Sequence, residues 1–148
     1  MTDHNTRPTM VSRIIPVEPF DLVIFGGTGD LARRKILPAL FRRFCADQLP
    51  SDVTFIGAAR KSLTQEDYRA LVAKAIEDHG RPSNSAYLQR FLSCIDYVTL
   101  DARGEAGWDI LGSKLAQDRI RAFYFSVGPS LLGILPRGCI TIAWFTQR

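Results

Sequence analysis

The sequence is poor in the residues that build metal centres, disulfide frameworks and membrane spans. Its 148 residues include only three cysteines and two histidines. Cys45, Cys94 and Cys139 are far apart, odd in number and form no C-x-x-C pair, so neither a metal site nor a disulfide framework is expected. No apolar run reaches the roughly 18 residues of a membrane-spanning helix. The polar start MTDHNTRPTM lacks the apolar segment of a signal peptide. We therefore expect a cytoplasmic protein without metal or membrane contact.

The composition is that of one ordinary globular domain. Hydrophobic residues make up 46% of the chain and charged residues 23%, which excludes a disordered or collagen-like chain. The length suffices for a sizeable core but not for a cofactor domain and a separate substrate domain. Pro8, Pro16 and Pro19 discourage regular structure, so residues 1–19 are predicted to form a flexible tail.

The positive charge is concentrated in one stretch of the chain. The net charge is +4, and residues 29–61 alone hold seven basic and three acidic side chains. A local basic field of this size suits an anionic small ligand as well as a nucleic acid. A solvated helix face explains it equally well at this point.

Apolar runs and helical periodicity alternate along the chain. Predicted strands cover 20–25, 53–59, 97–100 and 121–127, and predicted helices cover 30–47, 64–80, 84–93 and 105–117. Pro38 predicts a kink in the first helix. Thr64, with Asp67 three residues later, predicts the start of the second, and Gly80 its end. The alternation predicts an α/β fold with a doubly wound parallel sheet of the Rossmann type, incomplete at about four strands.

A glycine fingerprint lies between the first strand and the first helix. Gly27, Gly29 and Ala32 fit G-x-G-x-x-A. The first glycine permits a sharp turn, the second lets the backbone approach a pyrophosphate, and the alanine lets the helix pack closely on the strand. The helix N-terminus attracts the phosphates. Because a strand precedes the pattern and a helix follows it, the context favours a dinucleotide site over a plain strand–helix turn.

The end of the second strand indicates the type of cofactor. NAD-binding domains usually carry Asp or Glu there, whereas this chain has Arg60 followed by Lys61. The nearest acidic residues are Asp52 and Glu66. A guanidinium group at this point suits the 2′-phosphate of NADP by charge and geometry. The basic run Arg33-Arg34-Lys35 opposes the helix dipole unless an anion lies nearby, although Arg34 alone fits a solvated face equally well.

No catalytic residue can be assigned in this chain. Hydride transfer from an alcohol needs a base for the hydroxyl proton, most often His. His4 is in the predicted tail and His79 is at a helix C-terminus, where the dipole favours a cation. None of the four tyrosines has a lysine four residues later, which excludes the proton-transfer pair of short-chain reductases.

Three segments resemble the glucose-6-phosphate 1-dehydrogenase family: IFGGTGDLARRKILPALF (24–41), FIGAARKSLT (55–64) and FYFSVGPSL (123–131). The resemblance covers about residues 20 to 132. It implies a Rossmann domain that binds NADP and that, in the full enzyme, serves the oxidation of glucose 6-phosphate to 6-phosphogluconolactone at the entry of the pentose phosphate pathway. It also implies homo-oligomers for the full-length family.

The resemblance implies roles for particular residues. Arg60 would hold the 2′-phosphate, and Lys35 resembles the lysine that reaches the active site. Asp101, Ala102 and Tyr124 would border the cofactor cleft near strand ends. The residues that would line the pyrophosphate are Gly26, Gly27, Thr28, Gly29, Asp30, Leu31, Ala32 and Arg33.

The chain departs from the family after residue 132. The family continues towards a Glu-Lys-Pro segment and, later, a histidine base, whereas this chain ends in LGILPRGCITIAWFTQR, with an apolar ITIAWF run that has no obvious partner. We predict an NADP-binding domain at 20–132, an atypical end at 133–148 from a shifted frame or artificial terminus, and no turnover by this chain alone. The alternative is a non-catalytic NADP-binding fragment. A nucleic-acid binder is disfavoured, since no recognition motif accompanies the basic helix.

Overall fold

One parallel sheet organises the computed structural model, which describes residues 18–80, 84–125 and the backbone of 140–141. The strands are β1 (Phe20–Phe25), β2 (Val53–Ala59), β3 (Ile95–Thr99), β4 (Ile120–Phe125) and β5 (Ile140–Thr141). Their order in the sheet is β3-β2-β1-β4-β5, and every pairing is parallel. Growth outward on both sides of β1 is the doubly wound topology, which confirms the predicted fold class.

Helices cover both faces of this sheet. A π-helical turn (Ala32–Ile36) runs into α1 (Leu37–Cys45), and α2 (Gln65–His79), α3 (Ser85–Ser93) and α4 (Trp108–Lys114) follow. The first three helices pack on one face, around a core that includes Ile24, Phe55 and Phe91. Helix α4 packs on the other face, where Leu111 contacts a core with Val23 and Phe25. Because side chains alternate along β1, one strand serves both cores.

The predicted kink at Pro38 takes the form of a π-helical turn. Leu37 donates its backbone N–H to the carbonyl oxygen of Ala32, five residues back. Pro38 has no N–H to give and lies at the start of α1. Widening the turn ahead of the proline avoids the clash that a regular helix would have there. The helix therefore continues through residues 30–45 without a break.

The two ends of α2 differ in how well the sequence predicts them. A complete capping box is present: Asp67 donates its N–H to Thr64 Oγ1 at 3.1 Å, and Thr64 donates its N–H to Asp67 Oδ2 at 3.3 Å. At the other end Gly80 is the C-cap in extended conformation, and its N–H donates to Ile76 O at 2.7 Å. The left-handed glycine usual just after a helix end does not occur here.

Other predicted bounds shift by a few residues. The third strand starts at Ile95, and the fourth helix shortens to Trp108–Lys114 because Gly107 adopts a φ of 92° that turns the chain before it. The ITIAWF run does have a partner, since Ile140 pairs with Ala122 on β4. The predicted tail and most of 133–148 lie outside the described residues.

A charged network ties down the amino-terminal edge of the sheet. Asp21, on β1, is 1% exposed. Its carboxylate accepts the N–H of Ala116 at 2.9 Å and the Arg119 guanidinium at 3.2 Å. Arg119 also pairs with the exposed Asp52. These contacts fix the chain between α4 and β4.

The described ranges contain no helix long and apolar enough to cross a membrane. Cys45 and Cys94 are free thiols, and residues 18–80 and 84–125 hold no group of His, Cys, Asp or Glu side chains arranged to bind a metal ion.

Candidate functional site

The predicted site residues meet at the carboxyl edge of the sheet. Gly26 follows β1, Arg60 follows β2, Asp101 lies two residues beyond β3, and Tyr124 is next to last in β4. The Gly26 N–H donates to Ala58 O at 2.9 Å, and the Leu100 N–H donates to Ala59 O at 2.8 Å, so the three neighbouring loops start side by side. In doubly wound sheets, ligands bind outside this edge, at the point between β1 and β4 where the strand order reverses.

The glycine turn is tightly packed where it closes. Gly26 has a φ of 75°, which favours glycine. The Gly29 N–H donates to Gly26 O at 2.9 Å, and a Cβ on Gly29 would lie 3.1 Å from that oxygen. The Arg33 N–H then donates to Gly29 O at 3.1 Å. The backbone therefore enters the helix with its first N–H groups at the carboxyl edge, an arrangement that binds phosphate.

The residues of this turn differ in their access to a ligand. Thr28 is half-buried, and Gly29, Asp30, Leu31 and Arg33 are exposed. Ala32 is fully buried against the first core. Its methyl group therefore contacts the sheet rather than a ligand, which is the packing role that the fingerprint assigns to this position.

The three basic residues at the helix start differ in whether they have an ion-pair partner. Arg34 pairs with Asp30 at 2.7 Å, and both side chains are largely exposed, so this pair contributes about 0–1 kcal/mol. Arg33 and Lys35 are exposed and have no ion-pair partner within the described ranges. These two cations, rather than Arg34, remain available to an anionic ligand.

Arg60 is the first residue after β2 and its side chain faces solvent. Among residues 18–80 and 84–125, no carboxylate pairs with it. Arg60 thus follows the strand next to β1, and no carboxylate of the described ranges occupies its guanidinium donors. Such a group binds a phosphate dianion through paired N–H···O bonds.

Asp101, Ala102 and Tyr124 complete the edge but have structural contacts of their own. The Asp101 carboxylate accepts the Arg103 N–H at 3.0 Å, which stabilises the turn after β3. Ala102 packs against the second core and Tyr124 against the first. Tyr124 is paired with Ile24 in the sheet, which places it on the α1–α2 side of the switch point.

Tyr68, in the predicted second helix, is a residue of this edge that the sequence analysis does not identify. Tyr68 is 1% exposed, and its hydroxyl donates to Gly27 O at 3.1 Å. The ring occupies the space above Gly57, where a Cβ would lie 2.3 Å from Tyr68 Cζ. A glycine inside a strand marks a close approach of this kind, so Gly57 is the signal in the sequence from which a buried neighbour could have been predicted.

Tyr97 was also missed, because it was predicted simply as a strand residue. Its hydroxyl donates to Lys61 O and lies 3.3 Å from Ala59 O. Its ring contacts that of Tyr68, with centroids 4.8 Å apart. The hydroxyl groups of the two tyrosines therefore hydrogen-bond to the loops after β1 and β2.

Burial raises the pKa of both tyrosines, and the contact with Tyr97 adds to the effect at Tyr68. In the unfolded chain both hydroxyls ionise near pH 10. Above about pH 10 the unfolded state therefore binds fewer protons than the folded state. Stability that is fully present below this pH is lost as the pH rises further.

We predict that the free energy of unfolding falls between about pH 8 and about pH 11, and that it falls less steeply in Tyr68→Phe. Urea denaturation at the two pH values measures both slopes. Tyr87→Phe, on α3, serves as control and keeps the wild-type slope. Equal slopes for wild type and Tyr68→Phe would contradict the prediction.

Comparisons with known proteins agree with this geometry. Residues 23–139 match the family model described as glucose-6-phosphate dehydrogenase, NAD binding domain. The glucose-6-phosphate 1-dehydrogenase of Rhizobium meliloti is 48% identical over 126 residues, which are 82% of this chain and 26% of the relative. That of Gluconobacter oxydans is 48% identical over 124 residues, 79% of this chain and 25% of the relative.

Solved structures give the same result. A crystal structure of glucose-6-phosphate 1-dehydrogenase from Mycobacterium avium superposes with a TM-score of 0.72 at 28% identity, covering 80% of this chain and 26% of that one. A glucose-6-phosphate dehydrogenase in complex with its substrate glucose-6-phosphate gives 0.69 at 25% identity, covering 85% and 30%. The chain spans about a quarter of the length of these curated relatives. It belongs to the glucose-6-phosphate dehydrogenase family and matches that family's NAD-binding domain.

Proposed function

We propose that this chain binds NADP at the carboxyl edge of its sheet, as the coenzyme side of an enzyme that oxidises glucose 6-phosphate. The observation that carries the proposal is Arg60, an exposed guanidinium without a carboxylate partner in the described ranges, one strand away from the glycine turn. The 2′-phosphate of NADP would supply the negatively charged partner that Arg60 lacks in these ranges.

The residues of the turn fit the rest of the coenzyme. The pyrophosphate would lie against the backbone of residues 26–31, where a Cβ on Gly29 would make a tight contact of 3.1 Å with Gly26 O. Arg33 and Lys35 would add positive charge beside it, with Lys35 on the side of the reacting sugar. Asp101, Ala102 and Tyr124 would border the cleft beyond β3 and β4. When bound, NADP supplies the hydride acceptor for the oxidation.

The same family relation supports further parts of this proposal. The protein would be cytoplasmic, would act on glucose 6-phosphate at the entry of the pentose phosphate pathway, and would form homo-oligomers as a full-length enzyme.

His79 is exposed at the far end of α2, at the opposite edge from Arg60. His79 therefore lies away from the proposed NADP site, and we propose that residues 20–132 act as a binding unit.

We predict that Arg60→Ala weakens NADP binding by about 10- to 100-fold and leaves NAD binding within about twofold. Only NADP carries the 2′-phosphate, and each charge-assisted hydrogen bond to it contributes about 1.5–3 kcal/mol. Calorimetric titration of both dinucleotides with both proteins measures the change. Arg42→Ala, on α1, removes an equal charge from an exposed arginine outside the site and keeps both affinities.

Two results would contradict the assignment. Equal weakening of NADP and NAD would place Arg60 at the pyrophosphate, and no weakening of NADP would remove it from the site. Binding of neither dinucleotide to the wild-type chain would overturn the proposed function itself.

A further inference from the structure

The two phosphate-binding parts of the site rest on one pair of buried rings. Tyr68 on α2 and Tyr97 on β3 contact each other with an angle of 34° between ring planes. Their hydroxyl groups diverge. The Tyr68 hydroxyl reaches Gly27 O in the glycine turn, and the Tyr97 hydroxyl reaches Lys61 O in the loop after β2.

The contact of Tyr68 with the glycine turn is enclosed on all sides. The ring fills the space over Gly57, and a Cβ on Gly27 would lie 2.8 Å from the hydroxyl oxygen. At 1% exposure the Tyr68 side chain is shielded from bulk solvent, and its hydroxyl donates to Gly27 O. This hydrogen bond holds the Gly27 carbonyl in one orientation. The orientation of the next peptide groups in the turn depends on it.

The contacts of Tyr97 surround Arg60. The hydroxyl lies against the carbonyl oxygens of Ala59 and Lys61, the residues immediately before and after Arg60. Thr99 Oγ1 adds a contact of 3.5 Å to Lys61 O from the same strand. These contacts fix the backbone at Arg60, so the exposed side chain starts from a defined point beside the glycine turn.

We propose that Tyr68 and Tyr97 are positioning residues with separate targets, Tyr68 for the turn that receives the pyrophosphate and Tyr97 for the arginine that receives the 2′-phosphate. Neither hydroxyl touches the ligand. The proposal rests on the proposed function, since it assigns the two loops their phosphates. It makes Tyr97 a determinant of selectivity between NADP and NAD, acting through Arg60.

The two hydroxyl groups therefore have different effects when removed. Tyr68→Phe weakens NADP and NAD by the same factor, about tenfold, because both dinucleotides contain the pyrophosphate. Tyr97→Phe weakens NADP by about three- to tenfold and leaves NAD unchanged. In an Arg60→Ala background, Tyr97→Phe has no further effect on NADP, because its target is gone, whereas Tyr68→Phe retains its full effect.

Calorimetric titration of NADP and NAD with the 148-residue chain and these variants tests the proposal, with Tyr87→Phe as a control that removes a tyrosine hydroxyl from α3. Circular dichroism gives the folded fraction of each variant. Partial unfolding lowers the apparent affinity for both dinucleotides by one factor, so the ratio of NADP to NAD affinity reports Tyr97 even in a destabilised protein.

The outcomes separate the two proposals. If the wild-type chain binds NADP and the ratio shifts in Tyr97→Phe but not in Tyr68→Phe or Tyr87→Phe, the assignment stands. If the chain binds NADP but Tyr97→Phe lowers both affinities together, or still lowers NADP affinity in the Arg60→Ala background, the tyrosines are merely structural and the inference is wrong. If the wild-type chain binds neither dinucleotide, both proposals fail.

Discussion

Replacing Asp21 with alanine is expected to lower the free energy of unfolding by about 1–3 kcal/mol. The Asp21 carboxylate is 1% exposed and accepts hydrogen bonds from the Ala116 N–H and the Arg119 guanidinium. Removing it leaves the Ala116 N–H without its acceptor, whereas Arg119, whose side chain is 22% exposed, keeps Asp52 as a partner. The loss exceeds that of a surface ion pair because the part-buried Ala116 N–H loses its acceptor.

Asp52 provides a matched control for this prediction. It pairs with the same arginine, but its side chain is 62% exposed. Asp52→Ala should therefore cost no more than about 1 kcal/mol. Urea denaturation near neutral pH compares the variants. Equal losses would show that burial of the Asp21 pair has no special importance.

The Asp21 network is at the opposite edge of the sheet from the proposed binding site, so a change in it should affect stability without affecting binding. Asp21 lies near the start of β1, whereas the glycine turn and Arg60 lie beyond the ends of β1 and β2. The folded molecules of Asp21→Ala should therefore bind NADP with the affinity of the wild type.

Local patterns predicted the binding edge but not this amino-terminal edge, because the partners of Asp21 are more than ninety residues away in the sequence.

The parts of the fold that the sequence predicted are those with a local physical cause. The glycine turn needs small residues directly after a buried strand, and the capping box of α2 needs Thr64 and Asp67 three residues apart. Each strand buried on both faces is marked by a short apolar run. Arg60 was predictable for the same reason, since its position at the end of β2 follows from the extent of one apolar run.

The rest depended on contacts between distant elements. Nothing in the apolar periodicity of α2 indicates that the Tyr68 hydroxyl reaches Gly27, forty-one residues away. The π-helical turn likewise depends on how the chain resolves the conflict at Pro38. The bounds of α4 follow from Gly107, whose φ of 92° is fixed by its closeness to the end of β3. Residues that support the site are therefore found only once the strands are placed side by side.

Substitution of Gly57, inside β2, tests the close packing of Tyr68 against the sheet. Gly57→Ala is expected to lower the free energy of unfolding by about 3 kcal/mol. The added Cβ would lie 2.3–2.5 Å from three atoms of Tyr68. These atoms belong to a buried ring packed between Gly57 and Tyr97, so the ring has no free rotamer to adopt.

A second substitution should restore part of this loss. Tyr68→Leu alone leaves a cavity and is itself destabilising, but combined with Gly57→Ala it removes the ring atoms that the new methyl group would strike. Urea denaturation of both single variants and the double variant should give a total loss smaller than the sum of the two. Gly112→Ala in α4, where a Cβ meets nothing within 4 Å, is the control and should be neutral or slightly stabilising. Additive losses would show that the close approach of Tyr68 does not determine the need for glycine in β2.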